Sequence, residues 1–419
     1  MADIFWGSLL KLEQFIRSES YRGYDPYDGL SSPWVRTSLR SRPARVTLQQ
    51  IVRRLPLNPR RFMNIAKGYN PVTLALCLDA YGEIMEAFPE RRSACETEST
   101  MLTQELLRLR LPGFSGSCWG YDFDWESRRT SLPAGTPTIV ATGIVTNALF
   151  RRAQQTEDRG LLQTCASAVA FVRRDLQRTA AGDAYCFSYS PYDSQCVLNA
   201  SMFGSRLLTE LHSVMPKAGV LEEAAQSVRF VVRHQRIDGS WPYSANDSRS
   251  WTDNFHTGYI LECLDDYCSS VNDPFAQESL QRGLDFYLRN FLRPDGAPKY
   301  YHSRLYPIDA TAGAQSILTL VRFGRRVEAE RVAEWMIHNM QGKDGSFFYR
   351  KYRLFTNRIS YMRWSNAWMF LALARLVNVT SGEKQSRASA QSGKSLTFVE
   401  GVANFAHPSH HHSKAFREP

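Results

Sequence analysis

Two kinds of segment follow each other along most of the chain, and they differ in how many charged residues they carry. Some segments interleave charged residues with an apolar stripe at i, i+3 and i+4, as in "GVLEEAAQSVRFVVRHQ" and "RVEAERVAEWMIHNMQ". This pattern is typical of a helix with one face in water. Other segments, such as "TIVATGIVTNALF" and "DATAGAQSILTL", carry few charges and several small residues. They are expected to be helices buried on most sides and packed close together.

The two helix types alternate as a repeat. A loop with a glycine near aromatic residues separates each charged helix from the next apolar helix, and the five loops are "SGSCWGYDFDW", "GDAYCFSY", "DGSWPY", "DGAPKYY" and "DGSFFY". A small residue lies in the first turns of each apolar helix. These residues are 57, 58, 55 and 54 positions apart: Gly143, Ala200, Gly258, Gly313 and Ala367. The predicted unit is an outer amphipathic helix, an aromatic loop and an inner apolar helix.

Six such units predict a closed ring. The segments "VTLQQIVRRL" (46–55) and "NPVTLALCLDAYGEIM" (70–85) add a weaker first copy to the five described. Six hairpins close into an all-α (α/α)6 toroid, with inner helices inside a ring of outer helices and all loops at one end. We predict an N-terminal helix and turn-rich lead-in over 1–40, the toroid over 41–380, and a disordered basic tail over 381–419 that includes His410 to His412.

Composition indicates the cellular compartment and the class of partner of this ring. The longest apolar runs are shorter than the roughly 18 residues that span a bilayer, and no secretory signal pattern opens the chain, so we predict a cytoplasmic protein. Eight cysteines form no C-x-x-C pair, which favours free thiols over a zinc cage or disulfides. The net charge of +10 is scattered over arginine pairs and the tail. We therefore predict no nucleic-acid partner, whereas an acidic polysaccharide suits this charge.

Several motifs resemble known toroid proteins. "QRIDGSW" (235–241) and "QGKDGSF" (341–347) resemble the Q-x-x-x-G-x-W element of squalene-type cyclases, which is structural in that family. "CWGYDFDWESR", "VLNASMFG" and "YMRWSNAWMFLALARL" resemble toroid proteins of bacterial surface-polysaccharide biosynthesis and, more distantly, six-hairpin glycosidases and the helical domain of glucuronyl C5-epimerases. The likeness spans roughly residues 20–380 and implies the architecture strongly and the reaction weakly.

A terpenoid or prenyl substrate is a weaker alternative. Neither D-x-D-D nor D-D-x-x-D, the acid motifs of terpene cyclases, occurs in the sequence. Asp193, Cys196 and His256 imitate a prenyltransferase zinc site, but the first spacing is wrong by one residue. We therefore predict no metal and no cofactor.

Polar residues at the loop end are the candidate site. Asn254, Asp309 and Arg363 each precede the small residue of an inner helix by four positions, which predicts equivalent places around the ring. Asp and Asn at these places are also preferred helix caps, so a purely structural role stays open. His256 lies in the first turn of its helix, and no other copy has a histidine there.

Three reaction types, and simple glycan binding, are compatible with these residues. Hydrolysis needs two carboxylates, from Asp124 with Asp253 or Asp309. Epimerisation or elimination at a uronic acid needs a base, an acid and a cation, which His256, Tyr243 or Tyr301, and Arg363 or Arg350 supply. The catalytic candidates are His256, Asp253, Asp309, Asp124, Tyr243 and Arg363. The candidates for saccharide binding are Trp119, Tyr121, Gln195, Trp241, Asn254, Tyr301, Arg350, Trp364 and Trp368. No sequence pattern predicts the oligomeric state.

Overall fold

A computed structural model describes residues 2–127 and 130–395, with side chains described from residue 4 to residue 382. The helices in the first half of the chain are α1 (Ala2–Ser18), α2 (Pro33–Ser38), α3 (Arg42–Arg54), α4 (Pro71–Ala87), α5 (Arg92–Arg108), α6 (Ile139–Thr156) and α7 (Arg159–Arg174). Those in the second half are α8 (Leu198–Val214), α9 (Val220–Arg233), α10 (Asn254–Ser270), α11 (Pro274–Asn290), α12 (Ala310–Arg322), α13 (Arg326–Met340) and α14 (Trp368–Ser395).

Six helices form a closed inner ring. Each contacts the next in the order α4, α6, α8, α10, α12 and α14, and α14 returns to contact α4. Their small residues allow close approach: a Cβ added at Gly143 would lie 2.9 Å from Phe203 on α8, and one at Gly258 would lie 2.6 Å from Gln315 on α12. The predicted (α/α)6 toroid is therefore confirmed.

The outer ring differs from the prediction at one position. Helices α5, α7, α9, α11 and α13 pack outside the inner helices, and the sixth outer place belongs to α1, which contacts α13 and α14. Helix α3, the predicted outer helix of the first hairpin, instead packs against the loop end of the ring. The reason is burial, because Phe5, Leu9, Leu12 and Ile16 give α1 a completely buried stripe.

Two glutamines connect neighbouring outer helices. The Gln235 side-chain amide donates to the carbonyl oxygens of Gly239 and Ser279, which joins the loop after α9 to α11. The Gln341 amide donates in the same way to Gly345 and to Ser8, which joins the loop after α13 to α1. The repetition of this contact confirms that α1 completes the outer ring.

The long loops lie together at the N-terminal ends of the inner helices, which we call the open end. They carry three small antiparallel sheets: β1 (Trp125–Glu126) with β2 (Ser131–Leu132), β3 (Arg178–Ala181) with β4 (Ala184–Phe187), and β5 (Ile308–Asp309), β6 (Phe348–Lys351) and β7 (Thr356–Ser360) with β6 in the centre. The register of β5 and β6 places Asp309 opposite Arg350. Helix α14 begins after a π-helical turn, Met362–Ala367.

The C-terminal segment is only partly described. Helix α14 continues past residue 381 into the segment predicted as a disordered tail, and His410 to His412 lie outside the described residues. Within the described ranges, none of the helices combines the length and apolar character needed to span a bilayer. The eight cysteines are free thiols, and seven of them are buried.

Candidate functional site at the open end of the toroid

One tyrosine from each aromatic loop converges on the open end. Each follows a tryptophan, a phenylalanine or, in one loop, a proline by two positions, in "CWGY", "CFSY", "SWPY", "APKY" and "SFFY". The hydroxyls of Tyr121 and Tyr189 lie 3.3 Å apart. Tyr27, from the N-terminal segment, lies near Tyr243 and Tyr349. We call these six residues the tyrosine cluster: Tyr27, Tyr121, Tyr189, Tyr243, Tyr300 and Tyr349.

These phenols are neutral hydrogen-bonding groups. Removal from water raises the pKa of Tyr189, Tyr243 and Tyr300 well above the ordinary value. The nearby Tyr121 hydroxyl raises the pKa of Tyr189 and Tyr243 further. At physiological pH each of the three retains its proton and is able to donate a hydrogen bond to a ligand.

Asp253 and His256 form a hydrogen-bonded pair beside this cluster. Asp253 is the N-cap of α10, because one of its oxygens accepts the backbone N–H of His256 at 3.0 Å. Its other oxygen lies 2.7 Å from His256 Nδ1 and also accepts the indole N–H of Trp251 at 3.1 Å. Asp253 is 2% exposed, whereas the His256 side chain is 20% exposed. The pair therefore has a buried carboxylate and an imidazole that reaches solvent.

Asp309 is buried, and both of its carboxylate oxygens accept hydrogen bonds. It caps α12 by accepting the backbone N–H groups of Thr311 and Ala312, and it is paired with Arg350. The indole of Trp364 donates to the same carboxylate at 3.0 Å. No part of Asp309 is exposed, and these partners give it the contacts of a helix cap and of an ion pair.

Asn254 occupies a different place from the one predicted by its spacing. Asp253 is the N-cap of α10 and therefore the counterpart of Asp309, while Asn254 is one position further along. The Asn254 side chain is completely buried and hydrogen-bonds to Tyr287, Ser316 and the Lys299 carbonyl. It holds α10 against its neighbours and has no exposed surface.

Asp124 also has a local structural role. Its carboxylate accepts the backbone N–H of Ala134 at 2.9 Å and pairs with Arg36 at 3.1 Å. These contacts hold the first aromatic loop against the N-terminal segment. The structure therefore does not bring Asp124, Asp253 and Asp309 together as free acids.

The predicted saccharide-binding tryptophans divide into two groups. Trp119 and Trp241 are core residues, and their indoles donate to the Leu106 and Val231 carbonyls of the preceding outer helices. Trp364 is also buried, whereas Trp368 lines a cavity on the ring axis. In the structure, none of the four presents an open face at the loop end.

Tyr301 and Gln195 lie at the edge of the open end. Tyr301 is partly exposed, and the Arg304 guanidinium lies 4.5 Å from its ring centroid. The side-chain amide oxygen of Gln195 accepts a hydrogen bond from the Arg249 guanidinium at 2.8 Å. Asp193 is a turn residue that accepts from Tyr189 and Gln195 backbone N–H groups and from Ser190.

Arg363 lies between the tyrosine cluster and a cavity of about 220 Å³. It forms an ion pair with Asp25 at 2.7 Å, and its guanidinium lies 5.0 Å from the Tyr121 ring centroid. The charged lining of this cavity comprises Asp25, Asp28, Arg36, Lys67, Asp122 and Arg363. Asp122 is exposed at the edge of this cavity, and partial loss of hydration and the nearby Asp25 raise its pKa, against a hydrogen bond from Asn70.

A second cavity, of about 40 Å³, lies on the ring axis. Phe203, Tyr259 and Trp368 line it together with Glu262 and Arg375, one or two turns further along the inner helices. Arg375 is paired with Glu83 at 2.8 Å. The centre of the ring is therefore small and ionic rather than deep and apolar.

The fold is shared with carbohydrate-active enzymes of known structure. A family 76 α-mannanase from Bacteroides thetaiotaomicron aligns with a TM-score of 0.59 at 10% identity, over 77% of this chain and 90% of that one. A cellobiose 2-epimerase from Bacillus thermoamylovorans aligns with a TM-score of 0.58 at 11% identity, over 74% and 90%. A possible member of glycoside hydrolase family 105 from Salmonella enterica aligns with a TM-score of 0.52 at 12% identity, over 74% and 83%.

These similarities establish the fold. Glycosidases and a sugar epimerase share the (α/α)6 toroid seen here, as the sequence motifs predict. Neither protein-family models nor curated proteins match the sequence.

Sequence reasoning missed several residues of the open end. They share no motif with the predicted acids and come partly from the segment before the first repeat: Asp25, Tyr27, Arg53, Tyr189 and Tyr349. The two tyrosines could have been found, because each of the five aromatic loops has a tyrosine at the equivalent position. Asp25 and Tyr27 precede the repeated part of the chain, and Arg53 lies on α3, which does not take its predicted place in the outer ring, so the repeat does not predict their positions.

Proposed function

We propose that this protein is a carbohydrate-active enzyme that epimerises a uronic acid or eliminates across its C4–C5 bond, with His256 as the base. The Asp253–His256 pair beside the tyrosine cluster is the observation that carries this proposal. The toroid fold shared with glycosidases and a sugar epimerase supports the saccharide class.

The pair has the geometry that a proton acceptor needs. When His256 Nδ1–H donates to Asp253, the lone pair of Nε2 is available to a substrate. In the described part of the chain, Nε2 has no hydrogen-bond partner, and the side chain is 20% exposed. His256 would remove the C5 proton of a uronic acid, which its carboxylate makes acidic.

Tyr243 is the nearest candidate for the acid. Its ring centroid lies 4.7 Å from that of His256, and its raised pKa keeps the hydroxyl protonated. In elimination this proton would go to the C4 oxygen as the C4–O bond breaks. In epimerisation, a tyrosine on the opposite face of the sugar would return a proton to C5.

Exposed aromatic rings at the loop end support a saccharide ligand. Trp251 is 41% exposed and stacks on Tyr243 with ring centroids 4.7 Å apart and an interplanar angle of 14°. Trp34 and Tyr192, from other segments, are also exposed. Flat apolar faces with hydroxyls beside them suit the alternating faces of a sugar ring.

Hydrolysis is the second candidate because two carboxylates that line one cavity could act as its acid and its base or nucleophile. Asp122 has a raised pKa, as a general acid requires, and Asp25 lines the same 220 Å³ space. Asp25 would be the second carboxylate, although its pairing with Arg363 lowers its availability as a base or nucleophile. A terpenoid substrate is disfavoured by the small ionic cavity on the axis.

Incubation with oligouronates of several linkages and with neutral oligosaccharides in D₂O tests the reaction. Epimerisation introduces deuterium at C5, elimination yields an unsaturated uronate that absorbs in the ultraviolet, and hydrolysis releases reducing ends without either. We expect one of the first two, with loss in His256→Gln. Saccharide binding without any of these products would instead indicate a non-catalytic glycan-binding or assembly protein.

A further inference from the structure

Two guanidiniums, of Arg53 and Arg350, lie at the edge of the tyrosine cluster, and in the described part of the chain only Arg350 of the two is paired with a carboxylate. Arg350, on β6, is paired with Asp309, which is entirely buried. Arg53, at the end of α3, donates to the Tyr349 hydroxyl at 3.2 Å. In the described ranges, no carboxylate lies within 4 Å of Arg53. Arg53 is therefore a guanidinium without an ion-pair partner in the part of the chain that the structure describes.

Arg350 has an unused hydrogen-bond donor in a buried position. The residue is 9% exposed, and its Nη2 atom has no hydrogen-bond partner. Its guanidinium lies 4.6 Å from the Tyr349 ring centroid and 4.9 Å from that of Tyr300. A buried guanidinium N–H without an acceptor is costly, so a ligand that supplies the acceptor would be stabilised here.

Arg53 lies close enough to Arg350 for the two charges to repel. Its guanidinium lies 4.6 Å from the Tyr27 ring centroid. Burial raises the pKa of Tyr27 to about 12, so this phenol is neutral at physiological pH and does not compensate the charge. Ring faces attract cations, but they do not satisfy guanidinium N–H donors as a carboxylate does.

We propose that Arg53 and Arg350 form an anion subsite that receives the carboxylate of an acidic sugar. This inference rests on the proposed function in one respect, the assumption of a saccharide ligand. The rings of Tyr300 and Phe255 separate Arg350 from His256, since Phe255 contacts both Tyr300 and His256. The bound carboxylate therefore belongs to a sugar next to the one at His256, and the natural substrate carries acidic residues in sequence.

Titration of the wild type with sodium glucuronate and with glucose at constant ionic strength tests the subsite. We expect glucuronate to bind at least tenfold more tightly than glucose, because only it offers a charged acceptor. Arg53→Gln should weaken glucuronate binding by about tenfold or more. Arg54→Gln, an exposed neighbour on the same helix, should bind as the wild type does.

Thermal unfolding without ligand shows whether Arg53→Gln is folded, so that a loss of binding can be distinguished from a loss of stability. Because Arg53→Gln removes one of two repelling charges, its melting temperature should equal or exceed that of the wild type. Equal binding of glucuronate and glucose would overturn the subsite, as would full glucuronate binding by Arg53→Gln. A melting temperature that rises with inorganic sulfate but not with glucuronate would overturn the assignment of a carboxylate as the ligand.

The proposed reaction and the proposed subsite can be tested separately. His256→Gln should lose turnover and still bind glucuronate with wild-type affinity. If the wild type binds glucuronate through Arg53 but converts no oligouronate, the subsite stands and the proposed reaction does not.

Discussion

Oδ2 of Asp253 lies 2.7 Å from Nδ1 of His256, while Oδ1 of the same carboxylate accepts the His256 backbone N–H. One side chain therefore caps α10 and also orients the imidazole. Helix capping and catalysis, which compete as interpretations of the sequence, are compatible roles for Asp253. His256 cannot turn independently of the helix that carries it.

Replacement of His256 by glutamine should remove the base with little effect on folding. We expect turnover on the active substrate to fall by about 10² to 10⁴-fold, the usual contribution of a positioned proton acceptor. The melting temperature should change little, because His256 is partly exposed. His302→Gln is the matched control, since His302 is a partly exposed histidine of the adjacent loop. Unchanged turnover in His256→Gln would contradict the assignment.

Asp253 should show separate structural and orienting contributions. Asparagine is also a good N-cap, so Asp253→Asn should unfold at nearly the wild-type urea concentration, whereas Asp253→Ala should lose about 1 kcal/mol of stability. The asparagine does not hold the imidazole as a carboxylate does, so we expect turnover to fall by about 10 to 100-fold. Full activity in Asp253→Asn would show that the hydrogen bond to Nδ1 has no role in the reaction.

Gly345 should be essential for closing the outer ring. It has a φ of +87°, and an added Cβ would lie 2.3 Å from the Lys11 carbonyl oxygen on α1. Gly324 has a φ of +69° with open space around it. Gly324→Ala should therefore cost about 1–2 kcal/mol for backbone strain alone. Gly345→Ala should cost about 1–3 kcal/mol more for the forced displacement. Urea unfolding of both variants measures the difference, and equal losses would contradict the close contact.

Asp122 should make stability depend on pH. Loss of hydration and the Asp25 carboxylate raise its pKa in the folded protein. The folded state then binds this proton more tightly than the unfolded state does. The resulting stabilisation is present below the ordinary aspartate pKa and is lost as pH rises through the raised pKa.

Asp122→Asn removes this titration. Its melting temperature should exceed that of the wild type at neutral pH and decline less between acidic and neutral pH. Asp295→Asn, at an exposed turn, should keep the wild-type profile. A wild-type profile for Asp122→Asn would refute the raised pKa.

The ring was predictable because its packing repeats in the sequence. Inner helices need small residues where backbones approach, so Gly143 and Gly258 recur at similar spacing. The position of α1 was not predictable in this way. Its contacts through Ser8 and Gln341 join residues more than 300 positions apart, and no copy of the repeat precedes it.

The candidate site was only partly predictable, for a related reason. An aspartate before an inner helix caps it whatever else it does, so sequence alone did not separate Asp253 from Asp309. The difference lies in the partners, because Asp309 meets Arg350 across β5 and β6 and Asp253 meets His256 within one helical turn. Arg53 and Tyr27 come from the N-terminal segment, which lies over the open end only in the folded chain.

Closure of the ring through α1 also affects synthesis on the ribosome. Helix α1 is made first, yet its apolar stripe is covered by α13 and α14, which are made last. The contacts of α1 with α13 and α14 form only after nearly the whole ring has been translated. Until then the apolar stripe of α1 lacks these two partners, and a partly made ring exposes apolar surface.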